Sequence, residues 1–263
     1  MPERPRLLLF DPYSAGHHGE YIRYLLRAWP GAAGQLHVSV SATLLEKHPD
    51  LVELAAASAG SITLETLADG PEVERLVAVS LVQAGRLQGR LFASVLERHR
   101  PHHALAMYVD HLLPSLALRL RVPRDVRVSG ILFRPSFHYA STPSGWGERL
   151  RDLRKRLMLR AALQHPRLDR LFSLDPTAVE PLQRLRGAVH VTALPDPVPA
   201  RRPALTRPAL TRPALTRPAQ AERSIHARFG LPADRTLLLL FGVLNERKGI
   251  AEVFAALDRL SDQ

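Results

Sequence analysis

The chain opens with a short apolar run, Arg6-Leu-Leu-Leu-Phe10, and a loop that contains the run Gly16-His-His-Gly-Glu-Tyr21. A short apolar run bounded by turn-forming residues predicts a buried parallel strand over residues 6–10. Apolar residues at helical spacing then predict a helix over residues 20–29. A strand, a glycine-containing loop and a helix are the first half of a βαβ unit, in which the next strand runs parallel to the first.

The alternation of strands and helices continues as far as residue 194. Further strands are predicted over residues 36–40, 61–66, 104–109, 126–133, 170–174 and 189–194. Further helices are predicted over residues 72–99 (one or two helices), 111–120, 148–164 and 176–185. Seven strands that alternate with helices predict an α/β fold, with a Rossmann-like doubly wound parallel sheet.

The composition excludes several classes of protein. Of the 263 residues, 46% are hydrophobic and 23% are charged, which is typical of a globular chain rather than a disordered one. The chain has no cysteine, so disulfides, thiolate metal sites and a cysteine nucleophile are excluded. The apolar runs are far shorter than the roughly 20 residues of a membrane-spanning helix. The run at residues 7–10 is too short for a signal peptide, and we expect a cytoplasmic protein.

The net charge of +11 comes almost entirely from two segments of the chain. Residues 197–221 contain five arginines and no acid, and residues 149–160 contain six cations against Asp152. The rest of the chain is therefore close to neutral, unlike a generally basic surface. The sequence also lacks an aromatic-rich pattern on which bases would stack, so we expect no nucleic-acid partner.

Residues 200–221 are predicted to form a linker. The unit Arg202-Pro-Ala-Leu-Thr206 is repeated twice more, and a proline in every unit excludes a helix interior or a central strand. The linker joins a domain at residues 1–199 to a second α/β segment at residues 222–263. The elements predicted in that segment are helices over 224–229 and 250–260, a strand over 236–241 and a turn over 242–249.

The most specific motif lies in the second segment, in the run Phe241-Gly-Val-Leu-Asn-Glu-Arg-Lys-Gly-Ile250 after the predicted strand. With this order of strand, turn and helix, the chain resembles the GT-B glycosyltransferases of family 4, the retaining, glycogen-synthase-like enzymes. The resemblance spans residues 6–260. Segments that match more loosely are Gly16-His-His-Gly-Glu-Tyr21, Asp169-Arg-Leu-Phe-Ser173, Leu194-Pro-Asp-Pro-Val198 and Arg228-Phe-Gly-Leu-Pro232.

The chain departs from this family at two points. Val243 stands where the family often has arginine. The family's later pair of glutamates, eight positions apart, has no counterpart before Gln263. The resemblance therefore implies an acceptor-side domain followed by a truncated start of the donor domain. Two alternatives stay open: the chain is inactive, or a separate polypeptide supplies the rest of the donor domain.

The resemblance implies a transferase that moves a sugar from a nucleotide sugar to a glycan, lipid or small-molecule acceptor, as in polysaccharide biosynthesis. It also implies retention of the anomeric configuration. The nucleotide sugar is a substrate, and the resemblance implies no metal and no other cofactor. The alternative is a non-catalytic Rossmann-like module that binds a nucleotide or a glycan without turnover.

Gly242, Arg247 and Lys248 are the predicted diphosphate site of the donor domain. Negative charge develops on a departing diphosphate, so a cation beside a helix N-terminus stabilises it. Lys248 lies directly before the predicted helix, and Arg247 can form a bidentate pair with a phosphate. An exposed basic turn is the alternative interpretation.

The loop after the first strand is the predicted acceptor site, because doubly wound sheets bind ligands at the carboxyl ends of their strands. Its residues are Gly16, His17, His18, Gly19 and Glu20. Glycines there allow close approach of the backbone to a ligand, and the histidines can contact an acceptor or a phosphate. A tight turn with solvent-facing histidines is the alternative.

Two further strand ends point to the same crevice. Asp110 and His111 follow the strand at residues 104–109, and Arg134 and His138 follow the strand at residues 126–133. The resemblance implies that His138 contacts the donor sugar. We predict His111, Arg134 and His138 as catalytic residues and Asp110 as part of the acceptor loop. Helix caps and ordinary loop residues are the alternative for each.

The predicted helix over residues 148–164 is basic and amphipathic. Leu150, Leu153, Leu157 and Ala161 recur at helical spacing, which favours a domain helix with this apolar face inward and its cations in solvent. The alternative is peripheral contact of residues 149–164 with an anionic membrane, at the inner face of the membrane.

Overall fold

The structure is a computed structural model that describes residues 4–133, 146–185, 189–195, 229–232 and 250–261. The chain divides into two compact units, Met1–Ala200 and Arg201–Gln263. The Arg/Pro repeat and the predicted strand over 236–241 lie outside the described residues, so the predicted linker and second domain stay predictions.

A single sheet of seven parallel strands forms the centre of the first unit, in the order β3-β2-β1-β4-β5-β6-β7. The strands are β1 (Arg6–Asp11), β2 (Gln35–Ser41), β3 (Ile62–Leu67), β4 (His103–Ala106), β5 (Arg127–Leu132), β6 (Leu168–Ser173) and β7 (His190–Ala193). All six strand pairings are parallel. This order is that of a Rossmann-like doubly wound sheet and confirms the predicted α/β fold.

Eight helices of the first unit connect these strands within the described residues, and one helix belongs to the second unit. They are α1 (His18–Ala28), α2 (Ala42–Lys47), α3 (Asp50–Ala56), α4 (Gly70–Val79), α5 (Leu81–His99), α6 (Leu113–Ala117), α7 (Trp146–Leu163), α8 (Val179–Gln183) and α9 (Ile250–Ser261). Two single turns of 3₁₀ helix, Gly31–Ala33 and Pro176–Ala178, complete the set. None of the helices among these described residues is long and apolar enough to cross a membrane.

Two helices were not predicted, and one predicted helix is divided. α2 and α3 are only six and seven residues long, and Pro49 separates them, so neither shows a clear helical period. The region predicted as one or two helices over residues 72–99 forms two. Ser80 has extended backbone (φ −156°, ψ 106°), which ends α4, and its side chain accepts a hydrogen bond from the N–H of Gln83 at the start of α5.

The strand predicted over residues 104–109 is shorter than expected, and this difference shapes the edge of the sheet. The N–H of Met107 still donates to the carbonyl of Phe10, whereas the N–H of Val109 donates to that of Ile131. After Met107 the chain therefore leaves β1, whereas it stays hydrogen-bonded to β5 as far as Val109. The helix predicted over 111–120 is also shorter, since α6 covers only Leu113–Ala117.

The core lies on both faces of the sheet. Alternate residues of β1 point to opposite faces, so Leu8 and Phe10 join the cluster beneath α5, α6 and α7, whereas Leu9 joins the cluster beneath α1 and α3. Phe92 of α5 is fully buried, and its ring lies 5.0 Å from that of Phe10 between centroids. Helices on both faces explain the run of four apolar residues between Arg6 and Asp11 in β1.

The predicted inward face of α7 is wrong. Leu150, Leu153 and Leu157 are exposed by 52%, 51% and 56%. α7 packs against α6 and enters the core with Leu159, Ala162 and Leu163 instead. The error arises because the helix carries two apolar faces, and the sequence pattern of one face does not reveal which of them meets the core.

Replacing Phe92 by alanine tests the core beneath α5. We expect Phe92→Ala to lower the free energy of unfolding by about 3–5 kcal/mol, because it leaves a cavity beside Phe10. Urea unfolding measures the change. Val82→Ala is the matched control on the same helix, since Val82 is 54% exposed. Equal losses in the two variants would contradict this packing.

Candidate functional site

The strand order creates a crevice at the carboxyl ends of β1 and β4. From β1 the chain proceeds through β2 to β3 on one side, and β4 to β7 continue on the other side. The loops after β1 and β4 therefore diverge, and ligands of doubly wound sheets bind between such loops. The described loops are residues 12–17 after β1 and residues 107–112 after β4.

A buried ion pair links the end of β1 to the start of α1. Asp11 is fully buried, and its Oδ2 lies 2.6 Å from Nδ1 of His18, which is 8% exposed. Oδ1 of Asp11 accepts a hydrogen bond from the N–H of Tyr13 at 3.1 Å. Burial lowers the pKa of His18, but the charge and hydrogen bond of the Asp11 carboxylate, together with the charges of Glu74 and Asp110, outweigh burial and raise that pKa above its ordinary value. The pair thus places a proton-binding imidazole in the crevice.

A second hydrogen-bond network lies beside this pair. The hydroxyl of Tyr13 is 3.1 Å from Oε1 of Gln88 and 2.8 Å from Nδ1 of His111. Nε2 of Gln88 donates to the carbonyl of Tyr108, which turns Oε1 of Gln88 towards Tyr13 as an acceptor. The single hydroxyl proton of Tyr13 is therefore donated to Gln88, and Nδ1–H of His111 donates to the hydroxyl oxygen.

This network fixes the protonation of both aromatic partners. Burial, followed by the charge of Asp11, raises the pKa of Tyr13 well above its ordinary value, so its hydroxyl keeps its proton. Because Nδ1 of His111 carries the proton in this arrangement, Nε2 of a neutral His111 ring is a hydrogen-bond acceptor. The two histidines thus present different chemistry: His18 is paired with a carboxylate, and His111 with a phenol.

Aromatic rings form a wall of a cavity of about 830 Å³ in the crevice. The ring of His18 is stacked on that of Phe133 with centroids 5.7 Å apart, and Tyr108 lies 5.0 Å from Phe133 and 4.8 Å from His111. The cavity volume is in the range of small-molecule sites. Residues that line it include Tyr13, Gly16, His17, Glu74, Asp110, Leu132, Lys155, Met158 and Leu159.

The structure brings five of the predicted residues together at this cavity. They are Gly16, His17, His18, Asp110 and His111. Gly16 has φ of +81°, a left-handed conformation that favours glycine and turns the loop into α1. Asp110 accepts a hydrogen bond from the N–H of Phe133 at 2.9 Å, which ties the loop after β4 to the end of β5.

Two predicted residues of the acceptor loop lie elsewhere. Gly19 packs against the ring of His48, where a Cβ atom would clash, so it acts as a close-packing position of α1. Glu20 is exposed and forms an ion pair with Arg23 at 2.5 Å. Of the histidine pair, His17 is exposed, whereas His18 is buried and so differs from the solvent-facing alternative.

Five predicted residues lie outside the described residues. They are Arg134 and His138 of the first unit and Gly242, Arg247 and Lys248 of the second unit. Their roles in catalysis and diphosphate binding stay predictions.

Sequence reasoning missed several groups that build the site. Asp11 ends a strand, which is the position where a polar residue signals a ligand site in this fold. Gln88 lies four residues from both Ala84 and Phe92, on the buried face of α5. A polar residue on a buried face needs a hydrogen-bond partner, which indicates a polar contact inside the protein. Glu74 accepts hydrogen bonds from the N–H groups of Ser14 and Ala15, and only the fold places it there.

A second cavity, of about 730 Å³, lies along α5 and α6. Arg86, Arg90 and Arg121 are among the residues that line it. Unlike the first cavity, it does not lie at the carboxyl ends of β1 and β4. We therefore assign the functional site to the first cavity.

A scan against models of protein families finds no match for this chain, and no curated protein matches its sequence. Among the described residues, no three histidine, aspartate or glutamate side chains come together in a group that would hold a metal ion. The proposed function therefore rests on the geometry of the cavity.

Replacing Asp11 by asparagine tests the ion pair through its pH dependence. A histidine whose pKa is raised in the folded protein adds to the free energy of unfolding when the pH is below its unfolded pKa of about 6.5. This added stability is lost as the pH rises through the pKa of the folded state. Asp11→Asn should therefore lower the free energy of unfolding more at about pH 5.5 than at about pH 8.5. At the higher pH we expect a loss of about 1–3 kcal/mol from the hydrogen bonds alone.

Denaturant unfolding at both pH values measures this difference. Asp125→Asn is the control, because Asp125 is exposed and far along the chain from the pair. A loss from Asp11→Asn that is the same at both pH values would refute the charged pair.

Proposed function

We propose that this protein is a glycosyltransferase of the GT-B type, which moves a sugar from a nucleotide sugar to a glycan, lipid or small-molecule acceptor. The observation that supports the proposal is the cavity at the carboxyl ends of β1 and β4, with its aromatic wall and its buried polar groups. A sugar needs an aromatic wall because its C–H faces are apolar. It also needs polar groups, because its hydroxyls need hydrogen-bond partners when they leave water.

The residues around the cavity suit an acceptor sugar. The rings of Tyr108 and Phe133 offer apolar faces for the C–H groups. Asp110 and His111 offer acceptors for hydroxyl protons, and His18, whose ring is fixed by Asp11, can accept a proton from an acceptor hydroxyl or donate one. Each polar group is held by a further hydrogen bond, so the site is organised before the ligand binds.

The donor side of the proposal rests on the sequence resemblance. Arg247 and Lys248 would bind the diphosphate, where negative charge develops as the bond to the sugar breaks. Retention of the anomeric configuration, independence from metal ions and a cytoplasmic location complete the proposal. The absence of cysteine is consistent with a reducing compartment.

Thermal unfolding of the full chain with panels of nucleotide sugars, nucleoside diphosphates and free sugars tests the proposal. A ligand that binds only the folded state stabilises it by about 2.7 kcal/mol at a hundredfold excess over Kd. We expect stabilisation by at least one nucleotide sugar or free sugar, and a smaller effect in His18→Gln. His190→Gln is the control, because His190 is exposed on β7.

The outcomes separate the enzyme from the binding module. Stabilisation together with transfer of the sugar to an acceptor supports the enzyme. Stabilisation without transfer or hydrolysis supports a Rossmann-like module that binds its ligand without turnover. A cooperative unfolding transition that no ligand of the panels shifts would contradict both.

A further inference from the structure

The outward face of α7 is an exposed apolar stripe. Trp146, Leu150, Leu153 and Leu157 recur at intervals of four, three and four residues, which places them on one side of the helix. Trp146 is 86% exposed, and the three leucines are each about half exposed. We call these four residues the outer stripe. The core contacts of α7 lie elsewhere on the helix, through Leu159, Ala162 and Leu163.

Cations flank the outer stripe on both sides. With 3.6 residues per turn, Arg154 lies on one side of the stripe, and Arg156 and Arg160 lie on the other. All three are exposed. Residues 149–160 contain five arginines and one lysine, with Asp152 as the only acid in that range. The surface of α7 is therefore apolar along its centre and positive along its edges.

We propose that the outer stripe docks on the surface of an anionic lipid bilayer. A helix that lies in the plane of a membrane buries an apolar face at the boundary between headgroups and acyl chains, with basic residues beside it. The outer stripe has this arrangement, and a tryptophan at one end is a residue type enriched at the level of the headgroups. The arginines then meet the negative charge of the lipid phosphates. This inference does not depend on the proposed transferase activity.

The distribution of charge favours a bilayer over two other partners. Docking two copies of the outer stripe would bring two strongly positive helices together, and like charges disfavour that contact. A nucleic acid would need the cations at the centre of the contact, because phosphates supply most of the affinity. In α7 the centre is apolar and the cations lie at its edges.

Docking by α7 also defines where the cavity lies relative to the lipid. Lys155, Met158 and Leu159 of the same helix line the cavity at the carboxyl ends of β1 and β4. An α-helix with its side chains is about 10–12 Å in diameter. The cavity wall therefore lies within about one helix diameter of the proposed membrane surface, a short reach for an acceptor carried on a lipid.

Cosedimentation of the full chain with vesicles tests the proposal. One set of vesicles contains equal parts of phosphatidylcholine and phosphatidylglycerol, and the other contains phosphatidylcholine alone. We expect binding to the anionic set, weakened by added salt, and binding at least about tenfold weaker to the neutral set, because the basic residues flanking the stripe gain from anionic lipid.

Two variants separate the apolar and charged contributions. The triple variant Leu150→Ser, Leu153→Ser and Leu157→Ser should bind anionic vesicles at least about tenfold more weakly, because it removes the apolar face. The triple variant Arg154→Gln, Arg156→Gln and Arg160→Gln should bind them about a hundredfold more weakly, at about fivefold per residue.

The matched control carries Val79→Ser, Val82→Ser and Leu118→Ser, three exposed apolar residues outside α7. It should bind like the unaltered protein. Circular dichroism checks that all variants fold, which is expected because the substituted side chains are exposed.

Serine and glutamine variants that bind anionic vesicles like the unaltered protein would contradict the proposal, and four further results would overturn it. The first is the absence of binding to anionic vesicles, and the second is equal binding to both vesicle types. The third is a dimer in light scattering that the serine variant of the outer stripe converts to a monomer, which would assign the surface to a second copy. The fourth is salt-sensitive binding of a DNA duplex that the glutamine variant abolishes, without binding to vesicles.

Discussion

The buried carboxylate of Asp11 is the constraint on which the functional end of this protein depends. It ends β1, an interior strand of the sheet, and a charge with no exposure to water must be satisfied by the protein. Its two oxygens are bound by His18 and by the backbone of Tyr13, so one residue sets both the entry into α1 and the turn of the loop. Tyr13 then orders Gln88 and His111. The loops after β1 and β4 are thereby linked through hydrogen bonds.

The helix α7 relates this crevice to the surface of the molecule. Its inward residues, Met158 and Leu159, belong to the wall of the cavity and to the core, whereas its outer stripe faces solvent between arginines. The net positive charge of the described first unit is thus concentrated on the helix that borders the site. One helix therefore contributes both to the wall of the cavity and to the exposed surface beside it.

The sequence predicts the sheet well, because strands such as β1 contain short apolar runs that reflect burial on both faces. It predicts His18, Asp110 and His111 at the site because residues that follow parallel strands share one edge of the sheet. It cannot predict the Asp11–His18 pair or the Tyr13–Gln88 contact, since these join residues by side-chain geometry that spacing does not encode. The face of α7 was predicted wrongly because two apolar faces compete, and only the packing of α6 selects one.

The most direct test of the central claim is hydrogen–deuterium exchange of the full chain with and without a saturating concentration of the sugar or nucleotide sugar that stabilises it most in thermal unfolding. If the crevice between β1 and β4 is the ligand site, exchange should slow in the amides of residues 13–17 and 107–112. Slower exchange confined to the cavity lined by Arg86, Arg90 and Arg121, with those two loops unchanged, would contradict the assignment.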